Sequence, residues 1–321
     1  MNILILGATG MVGKVVTRYM TRCGINVTVV SRDPEKAIQI FGNATAAISW
    51  NELAPDFFES NSIDAIIDLA GSPMIRKWTE AAKSDILESR KRGVETMFRV
   101  LRSVPRHRRP GCVVVASSVA IYSSVGRSVD EDVQPETDVN FFQSRVWSEI
   151  EAQVDELSIP GIRTVIARMG VVIGPHDMLK ALLHASRWYM GMILGSGEQM
   201  ISWISHDDLA RIFERMIKDI SIEGPVNVAS PNAVSSKQFS CDIAAAVNRP
   251  VWFRIPDRAL KFLLGELSDN FMASQVVQPG RLAKLGYEWL SPEFIDAVIS
   301  AKKDLGIDQH GKVELPAVIQ R

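Results

Sequence analysis

Three glycines near the start of the chain have the spacing of a phosphate-binding turn. Gly7, Gly10 and Gly13 follow the apolar run Asn2–Leu6 and precede apolar residues that recur at helical spacing. In such a corner the first glycine permits a tight turn, the second lets the backbone approach a pyrophosphate, and the third lets the helix lie close to the sheet. A glycine-rich turn without a ligand is the alternative. The setting favours a dinucleotide, held by Gly7, Thr9, Gly10, Met11, Val12 and Gly13.

The end of the next strand-like run, Asn26–Ser31, bears on which dinucleotide fits. NAD sites usually carry Asp or Glu there, which accepts a hydrogen bond from the ribose 2′-OH. This chain has Ser31 and Arg32 instead. A guanidinium can bind a 2′-phosphate through two hydrogen bonds, and a serine hydroxyl can donate a third. The sequence therefore favours NADP(H), while Asp33 keeps NAD open if the turn is shifted by one residue.

A serine and a tyrosine follow a further buried-strand pattern, Cys112–Ser117, and could take part in proton transfer. Ser118 is placed to orient a substrate oxygen. The phenol of Tyr122 could donate a proton if it pointed into a cleft. The alternative is that Tyr122 packs beneath the loop that follows it. Ser118 and Tyr122 are therefore the candidate catalytic residues.

Composition and charge exclude several classes of protein. The 36 Lys and Arg residues nearly balance the 37 Asp and Glu residues, and the net charge is −1. This balance gives no basic footprint for nucleic acid and no attraction to an anionic membrane surface. The 3 cysteines and 5 histidines have no spacing typical of disulfides or metal ligands. Since no secretory signal or long apolar run is found either, we expect a cytoplasmic protein without metal, nucleic-acid or membrane partners.

Strand-like and helix-like stretches alternate through the first half of the chain, which predicts a parallel sheet covered by helices on both faces. The pattern predicts a dinucleotide-binding domain over 1–174, to which 201–230 returns, a substrate domain over 175–305 and a tail over 306–321. The predicted strands are Asn2–Leu6, Asn26–Ser31, Ala44–Ser49, Asp64–Leu69, Cys112–Ser117 and Arg163–Val172. The main predicted helices are Thr79–Ser103, Met178–Tyr189, Asp207–Lys218, Ser235–Val247, Asp257–Leu264 and Pro292–Leu305.

Taken together, these motifs resemble the extended short-chain dehydrogenase/reductases, and in particular their atypical branch of "epimerase family" proteins. The resemblance covers about residues 1–300. It implies an α/β fold of the NAD(P)-binding Rossmann type, a doubly wound parallel sheet with a smaller C-terminal α/β substrate domain. The motifs that carry it are Gly7–Gly13, Ser31-Arg32, Leu69-Ala70-Gly71, Trp78, Ser89-Arg90, Arg168–Val172, Gly195–Gln199, Trp203 and Asp207-Asp208.

The resemblance also implies a set of coenzyme contacts. Ser31 and Arg32 would lie at the 2′-phosphate, and Val172 would lie near the nicotinamide. Asp85 and Arg90 would face the coenzyme from the long helix, although the sequence alone would make the basic stretch around Arg90 a solvated helix face. The remaining members of the set are Leu69, Ala70 and Gly71, beside the adenosine and ribose, and Ser117 and Arg168.

Two departures from this family's enzymes affect the expected chemistry. No tyrosine is followed by lysine four residues later; Phe141 and Arg145 stand in the expected region, and neither side chain can exchange a proton at neutral pH. Ser118 does match the substrate-orienting serine. Ile201 stands where sugar-nucleotide epimerases have an arginine that clamps a diphosphate.

We therefore expect an NADP(H)-dependent oxidoreductase or epimerase that acts on an unknown small substrate without a diphosphate. The substrate would bind in a cleft between Ser118, Tyr122, Arg168 and the loops 174–179 and 195–203. The alternative is a non-catalytic NADP(H) redox sensor or scaffold, which the missing tyrosine–lysine pair favours. Either could be a monomer or a homodimer, because the apolar stripes of the helices fit packing within one chain as well as between two.

Overall fold

The computed structural model of the chain describes residues 1–42, 45–122, 128–135 and 141–307. Within these residues the strands, in chain order, are β1 (Asn2–Leu6), β2 (Asn26–Ser31), β3 (Thr45–Ser49), β4 (Ala65–Asp68), β5 (Cys112–Ser118), β6 (Ser128–Val129), β7 (Arg163–Met169), β8 (Val171–Ile173), β9 (Met192–Leu194), β10 (Met200–Ile201), β11 (Trp203–Ser205), β12 (Gly224–Val228), β13 (Val234–Ser235), β14 (Phe253–Ile255) and β15 (Val276–Val277).

The α-helices connect these strands, and some of them cover the two faces of the main sheet. In chain order they are α1 (Met11–Arg22), α2 (Pro34–Phe41), α3 (Pro55–Ser60), α4 (Glu80–Ser103), α5 (Phe142–Leu157), α6 (Asp177–Arg187), α7 (His206–Lys218), α8 (Ser236–Ala245), α9 (Asp257–Leu264), α10 (Ser268–Met272), α11 (Gly280–Lys284) and α12 (Phe294–Asp304).

Seven strands form one parallel sheet in the order β12-β7-β5-β4-β1-β2-β3. The order reverses beside β1, since the chain first adds β2 and β3 on one side and then β4 on the other. In sheets of this kind, ligands bind at the carboxyl ends of the strands where the order reverses. The predicted doubly wound fold is confirmed, and it places the glycine turn after β1 at that point.

The sheet separates two apolar cores. Ile66 of β4 belongs to the core on the side of α4 and α5, with Phe98, whereas its neighbour Ile67 belongs to the core on the side of α1 and α7, with Phe213. This alternation explains why the strand sequences are almost continuously apolar, since successive side chains are buried on opposite faces.

The prediction of one strand over Arg163–Val172 was wrong, because the chain leaves the main sheet at Gly170. The Gly170 N–H donates to the Val228 carbonyl, but the next N–H, of Val171, donates to the Ser202 carbonyl at 2.9 Å. A Cβ at residue 170 would lie 2.9 Å from that Ser202 oxygen. The absence of a side chain lets β8 turn away from the sheet and pair with β11.

A buried carboxylate joins the start of α7 to the C-terminal part of the chain. Asp208 is fully buried, and its oxygens accept hydrogen bonds from the Ser205 and Tyr287 hydroxyls and from the N–H groups of Leu290 and Ser291. Ser205 also accepts from the Asp208 N–H and so caps α7. The Asp208 carboxylate therefore holds 287–291 against the start of α7.

A third apolar core lies in the C-terminal part of the chain and includes residues of α6, α8 and α12. Ile307, inside the predicted tail, is buried in it. The proposed domain limits stay a prediction. Residues 308–321 of the predicted tail, and Ala44 at the start of a predicted strand, lie outside the described residues.

Candidate functional site

The glycine turn between β1 and α1 brings the backbone of two sheet-edge loops into contact. Gly7 has a φ of 73°, and a Cβ there would lie 2.4 Å from the Leu69 carbonyl oxygen. A Cβ at Gly13 would lie 2.4 Å from the Gly7 carbonyl oxygen. Larger residues at either position would push α1 or the loop after β4 away from the sheet. Gly10 and Met11, by contrast, are exposed.

The first turn of α1 fits a bound phosphate. Its N-cap residue, Gly10, has no side chain to accept hydrogen bonds from the N–H groups of that turn. Asp33, Thr79 and Ser205 accept such a bond at the start of α2, α4 and α7, whereas α3, α5 and α12, like α1, have no side-chain cap. Uncapped N–H groups and the positive end of the helix dipole attract an anion. The predicted residues Met11 and Val12 lie on this turn, and Thr9 immediately precedes the N-cap residue.

Of the three residues from Ser31 to Asp33, two form a turn, and the side chain of the third, Arg32, has no partner among the described residues. Asp33 caps α2 by accepting from the Lys36 N–H at 3.0 Å. The Ser31 hydroxyl donates to the Asp33 carbonyl and accepts from the Asp33 N–H. Arg32 is exposed, and no hydrogen bond or ion pair joins its side chain to the described residues. A contact with the 2′-phosphate stays a prediction for both Arg32 and Ser31. Arg32 would form it without losing another bond, whereas the Ser31 hydroxyl would have to give up a hydrogen bond to Asp33.

Arg90 of α4 lies across Gly71, in the loop after β4. A Cβ at Gly71 would lie 2.8 Å from the Arg90 Cγ, so a larger residue there would require the Arg90 side chain to move. The guanidinium donates to the Ile86 carbonyl at 2.8 Å and lies 5.1 Å from the Trp147 ring centre. Burial lowers the pKa of Arg90 to about 10, and the group stays charged at neutral pH. The sequence predicted these residues together with Leu69 and Ala70, and the structure brings them together.

Asp68, the last residue of β4, is a buried carboxylate that the sequence analysis missed. One oxygen accepts from the Ala70 N–H at 2.9 Å, and the residue is 3% exposed. Burial raises the pKa of Asp68 to about 6, although the Ala70 N–H and the charge of Arg90 partly oppose the shift. An acidic residue that ends the apolar run Ala65–Asp68 was the available signal.

Asp68→Asn is expected to stabilise the protein above about pH 6. Because the folded state holds this proton to a higher pH than the unfolded state, ionisation of Asp68 destabilises the fold as the pH rises from about 4 to about 6. Asparagine keeps the acceptor for Ala70 and carries no charge, so the gain is on the order of 2 kcal/mol at pH 8 and vanishes below about pH 4. Urea unfolding across this range measures it. Asp56→Asn, at an exposed carboxylate, is the control; an equal gain there would contradict the assignment.

The two remaining predicted coenzyme contacts, Asp85 and Val172, have different surroundings. Asp85 lies one turn into α4 and forms an ion pair with Arg76 at 2.6 Å. This hydrogen bond from Arg76 lowers the pKa of Asp85. Val172 lies in β8 and is 6% exposed. A coenzyme contact stays a prediction for both residues.

A buried polar network occupies the space beneath the ends of β5 and β7. Glu151 of α5 accepts two hydrogen bonds from the Arg168 guanidinium and one from the Ser117 hydroxyl. A third Arg168 nitrogen donates to the Tyr122 hydroxyl at 2.7 Å, and that hydroxyl donates to the Asn227 side chain at 2.9 Å. All of these residues are less than a tenth exposed. The sequence predicted neither Glu151 nor Asn227 as a partner.

This network bears on three predicted site residues. The side chains of Ser117 and Arg168 are bonded to Glu151, so a coenzyme contact by either would have to replace such a bond. Tyr122 is 2% exposed, and its hydroxyl is used as both donor and acceptor. Burial raises the pKa of Tyr122, although Arg168 partly opposes the shift. The coenzyme and proton-transfer roles of these residues stay predictions.

Ser118 ends β5 at the same edge of the sheet as the glycine turn. It is partly buried, donates to the Met169 carbonyl at 3.3 Å and accepts from the Ala120 N–H at 3.2 Å. Of the pair that stands in place of tyrosine and lysine, Phe141 is partly buried and Arg145 is exposed, with its guanidinium 5.6 Å from the Phe142 ring centre. The predicted catalytic pair is Ser118 and Tyr122. The Tyr122 hydroxyl is bonded to two side chains, whereas the bonds of the Ser118 hydroxyl among the described residues are to backbone groups.

Other features of the described residues lie away from this edge. A cavity of about 640 Å³ borders α1, α7 and the end of α12, and none of the predicted coenzyme residues lines it. Along the described ranges, no three His, Cys, Asp or Glu side chains are grouped to hold a metal ion. Over the same ranges, every helix is too short or too polar to cross a bilayer.

The doubly wound sheet and its glycine turn define a class of nucleotide-binding α/β proteins, and sequence comparison gives the family. The chain belongs to the NAD dependent epimerase/dehydratase family, whose model matches residues 3–229. It is 32% identical over 292 residues to the epimerase family protein YfhF of Bacillus subtilis, a match that covers 90% of this chain and 94% of that protein. The predicted resemblance is therefore confirmed.

Three further comparisons extend this result. The chloroplastic SDR39U1 homolog of Arabidopsis thaliana is 28% identical over 294 residues, which cover 90% of this chain and 83% of that one. The crystal structure of human epimerase family protein SDR39U1 (isoform 2) with NADPH has a TM-score of 0.83 and 28% identity, and covers 95% of this chain and 100% of that chain. UDP-glucose 4-epimerase of Thermus thermophilus, at 14% identity and a TM-score of 0.73, shares the fold.

Proposed function

We propose that this protein binds NADP(H) at the carboxyl edge of its sheet and acts as an oxidoreductase or epimerase on a small substrate without a diphosphate. The observation that carries the choice of coenzyme is the turn after β2. Asp33, the carboxylate that could have served NAD, caps α2, while Arg32 is exposed beside it. The crystal structure of the human relative with NADPH supports the same choice.

In this proposal the backbone supplies most of the binding. The uncapped N–H groups at the start of α1 would bind the pyrophosphate, and Gly10 would let it approach. Arg32 would bind the 2′-phosphate, and the loop over Leu69–Gly71, with Arg90 above it, would border the adenosine and its ribose. When bound, the nicotinamide supplies hydride transfer. No diphosphate clamp is offered by Ile201, which supports a smaller substrate.

Ser118 is the residue that we propose to orient the substrate oxygen. Among the described residues its hydroxyl forms hydrogen bonds only with backbone groups, at 3.2 and 3.3 Å, and these distances are at the long end for such bonds. A substrate oxygen could replace either contact at little cost. Tyr122 would have to give up a bond to Arg168 or Asn227 to act as an acid, so we propose that it serves the buried network instead.

A non-catalytic NADP(H) sensor or scaffold is the second candidate. The specific observation in its favour is the buried position of the Tyr122 hydroxyl, together with Phe141 and Arg145 in place of a proton-transferring pair. Under this alternative the coenzyme site is the same. The two candidates differ only in whether bound NADPH is consumed.

NADPH oxidation across a panel of aldehydes, ketones and quinones distinguishes the candidates. We expect turnover with at least one compound, and we expect Ser118→Ala to lower kcat by about tenfold or more through loss of one orienting hydrogen bond. Tyr122→Phe is expected to act on stability more than on kcat. Ser103→Ala, at an exposed serine that ends α4, is the matched control. Turnover that Ser118→Ala leaves unchanged would remove the assigned site, whereas tight NADPH binding without turnover would favour the sensor.

A further inference from the structure

The C-terminal part of the chain exposes an unusual number of large apolar side chains. Trp188 is 73% exposed, Trp252 69%, Phe253 61% and Phe262 90%. Single exposed apolar residues are common on protein surfaces and need no explanation, but a contiguous group of them indicates an interaction site. We call the following set the aromatic face: Trp188, Tyr189, Met190, Met192, Trp252, Phe253, Phe262 and Leu263.

Three segments of the chain bring these residues together. Met192 of β9 pairs directly with Phe253 of β14. Just before β9 and β14, the Arg249 guanidinium lies 4.8 Å from the Tyr189 ring centre and donates to the Arg187 carbonyl. Helix α9 begins soon after β14 and carries Phe262 in its second turn. These contacts join 187–194 to 249–255, and α9 continues the second of these segments along the chain.

The charge of this region is the opposite of that expected from the whole chain. Within 187–194, 249–255 and α9 the cations are Arg187, Arg249, Arg254, Arg258 and Lys261, and the one carboxylate is Asp257. Two more carboxylates, Glu266 and Asp269, follow in the short helical segments that pack against α9, so the cations remain in excess. The chain as a whole has a net charge of −1. On α9 the exposed residues Arg258 and Lys261 flank the exposed apolar residues, and Leu260 is turned inward. The near-zero net charge of the whole chain argued against binding to an anionic membrane surface, but this region carries an excess of positive charge.

We propose that the aromatic face is a docking surface for an anionic lipid bilayer. Tryptophan, tyrosine and methionine with interspersed arginine and lysine are the residues that enter the interfacial zone of a membrane, where apolar contact and attraction to acidic headgroups add together. A second copy of the chain is a less suitable occupant, because a symmetric contact would bring the same cations of both copies together. The contact is peripheral and requires no spanning helix.

The same chain carries a second basic region that lacks aromatic residues, which allows the two contributions to be separated. Arg106 and Arg108 are exposed beyond the end of α4, and no large apolar side chain is exposed next to them in sequence. If positive charge alone drew the protein to a bilayer, this region would bind as well as the aromatic face. If the proposal is right, it contributes little.

The test is co-sedimentation of the full chain with vesicles of phosphatidylcholine alone or mixed with phosphatidylglycerol. We expect binding only to the anionic vesicles, weakened by salt. We expect at least about a tenfold loss for the double variant Arg258→Glu/Lys261→Glu and for Phe262→Ser. The matched controls Arg106→Glu/Arg108→Glu and Ile220→Ser, the latter at an isolated residue that is 86% exposed, are expected to bind like the unmodified protein.

Each other outcome overturns the proposal. Absence of binding to anionic vesicles rejects the bilayer. An equal loss in the Arg106→Glu/Arg108→Glu control, or full binding by Phe262→Ser, shows attraction by charge alone, as for an acidic protein. A dimer in light scattering that Phe262→Ser dissociates assigns the aromatic face to a second copy. Circular dichroism of each variant verifies that it is folded, and NADPH binding measures the coenzyme site separately.

Discussion

Replacing Arg32 with alanine is expected to abolish the preference of this protein for NADPH over NADH. The exposed guanidinium is the group on the turn after β2 that suits a 2′-phosphate, because Asp33 caps α2 and the Ser31 hydroxyl is bonded to Asp33. Hydrogen bonds between charged groups contribute about 1.5 to 3 kcal/mol, so the Kd for NADPH should rise about 10- to 100-fold. The Kd for NADH should stay unchanged. Fluorescence titration of both coenzymes measures the effect.

Arg22→Ala is the matched control for this experiment. It removes the same charge from an exposed position in the last turn of α1, at the opposite end of that helix from the glycine turn. Because long-range attraction of the anionic coenzyme would be weakened equally by both variants, only a local contact makes them differ. Equal Kd values for NADPH and NADH in the unmodified protein would contradict the proposed coenzyme.

Glu151→Ala should cause the largest loss of stability among the variants considered. It leaves the Arg168 guanidinium buried beside Tyr122 without its carboxylate, and it removes the acceptor of the Ser117 hydroxyl. Breaking a buried, hydrogen-bonded ion pair from one side typically costs about 3 to 5 kcal/mol. The free energy of unfolding in urea measures this loss. The cost arises because water cannot replace the lost partner.

Glu149→Ala on the same helix provides the comparison. Glu149 pairs with Lys91, but both side chains are about one third exposed. Pairs of this kind typically contribute about 1 kcal/mol or less. A loss for Glu151→Ala no greater than that for Glu149→Ala would show that the network is open to water and that the Tyr122 hydroxyl is more accessible than proposed.

Much of the sheet could be predicted because local and long-range preferences agree there. β1 and β2 have the predicted bounds, since apolar β-branched runs buried on both faces are bounded by glycines and polar residues. The start of α7 was predicted one residue late, at Asp207, whereas the helix begins at His206 with Ser205 as its cap. The break at Gly170 could not be predicted, since it depends on the backbone of Ser202, far along the chain.

The site was predictable where backbone geometry decides it and not where side chains find distant partners. The role of Gly7 and Gly13 follows from their spacing in a strand-turn-helix corner. Asp68 was missed although its partner, the Ala70 N–H, is only two residues away. Glu151 was missed because its partner, Arg168, lies on another element. Tyr122 shows the same limit, since its position in the sequence gives no indication that its hydroxyl is enclosed by Arg168 and Asn227.

The four hydrogen bonds at Asp208 decide how the chain can be shortened. The family model ends at residue 229, yet the groups that satisfy this buried carboxylate include Tyr287, Leu290 and Ser291. A fragment cut after residue 229 would keep the glycine turn and the whole main sheet, but the Asp208 carboxylate would lose three of its four hydrogen-bond donors. We therefore expect that residues 1–229 do not fold as an independent unit, and that a minimal fragment with the glycine turn has to retain the chain through residue 291.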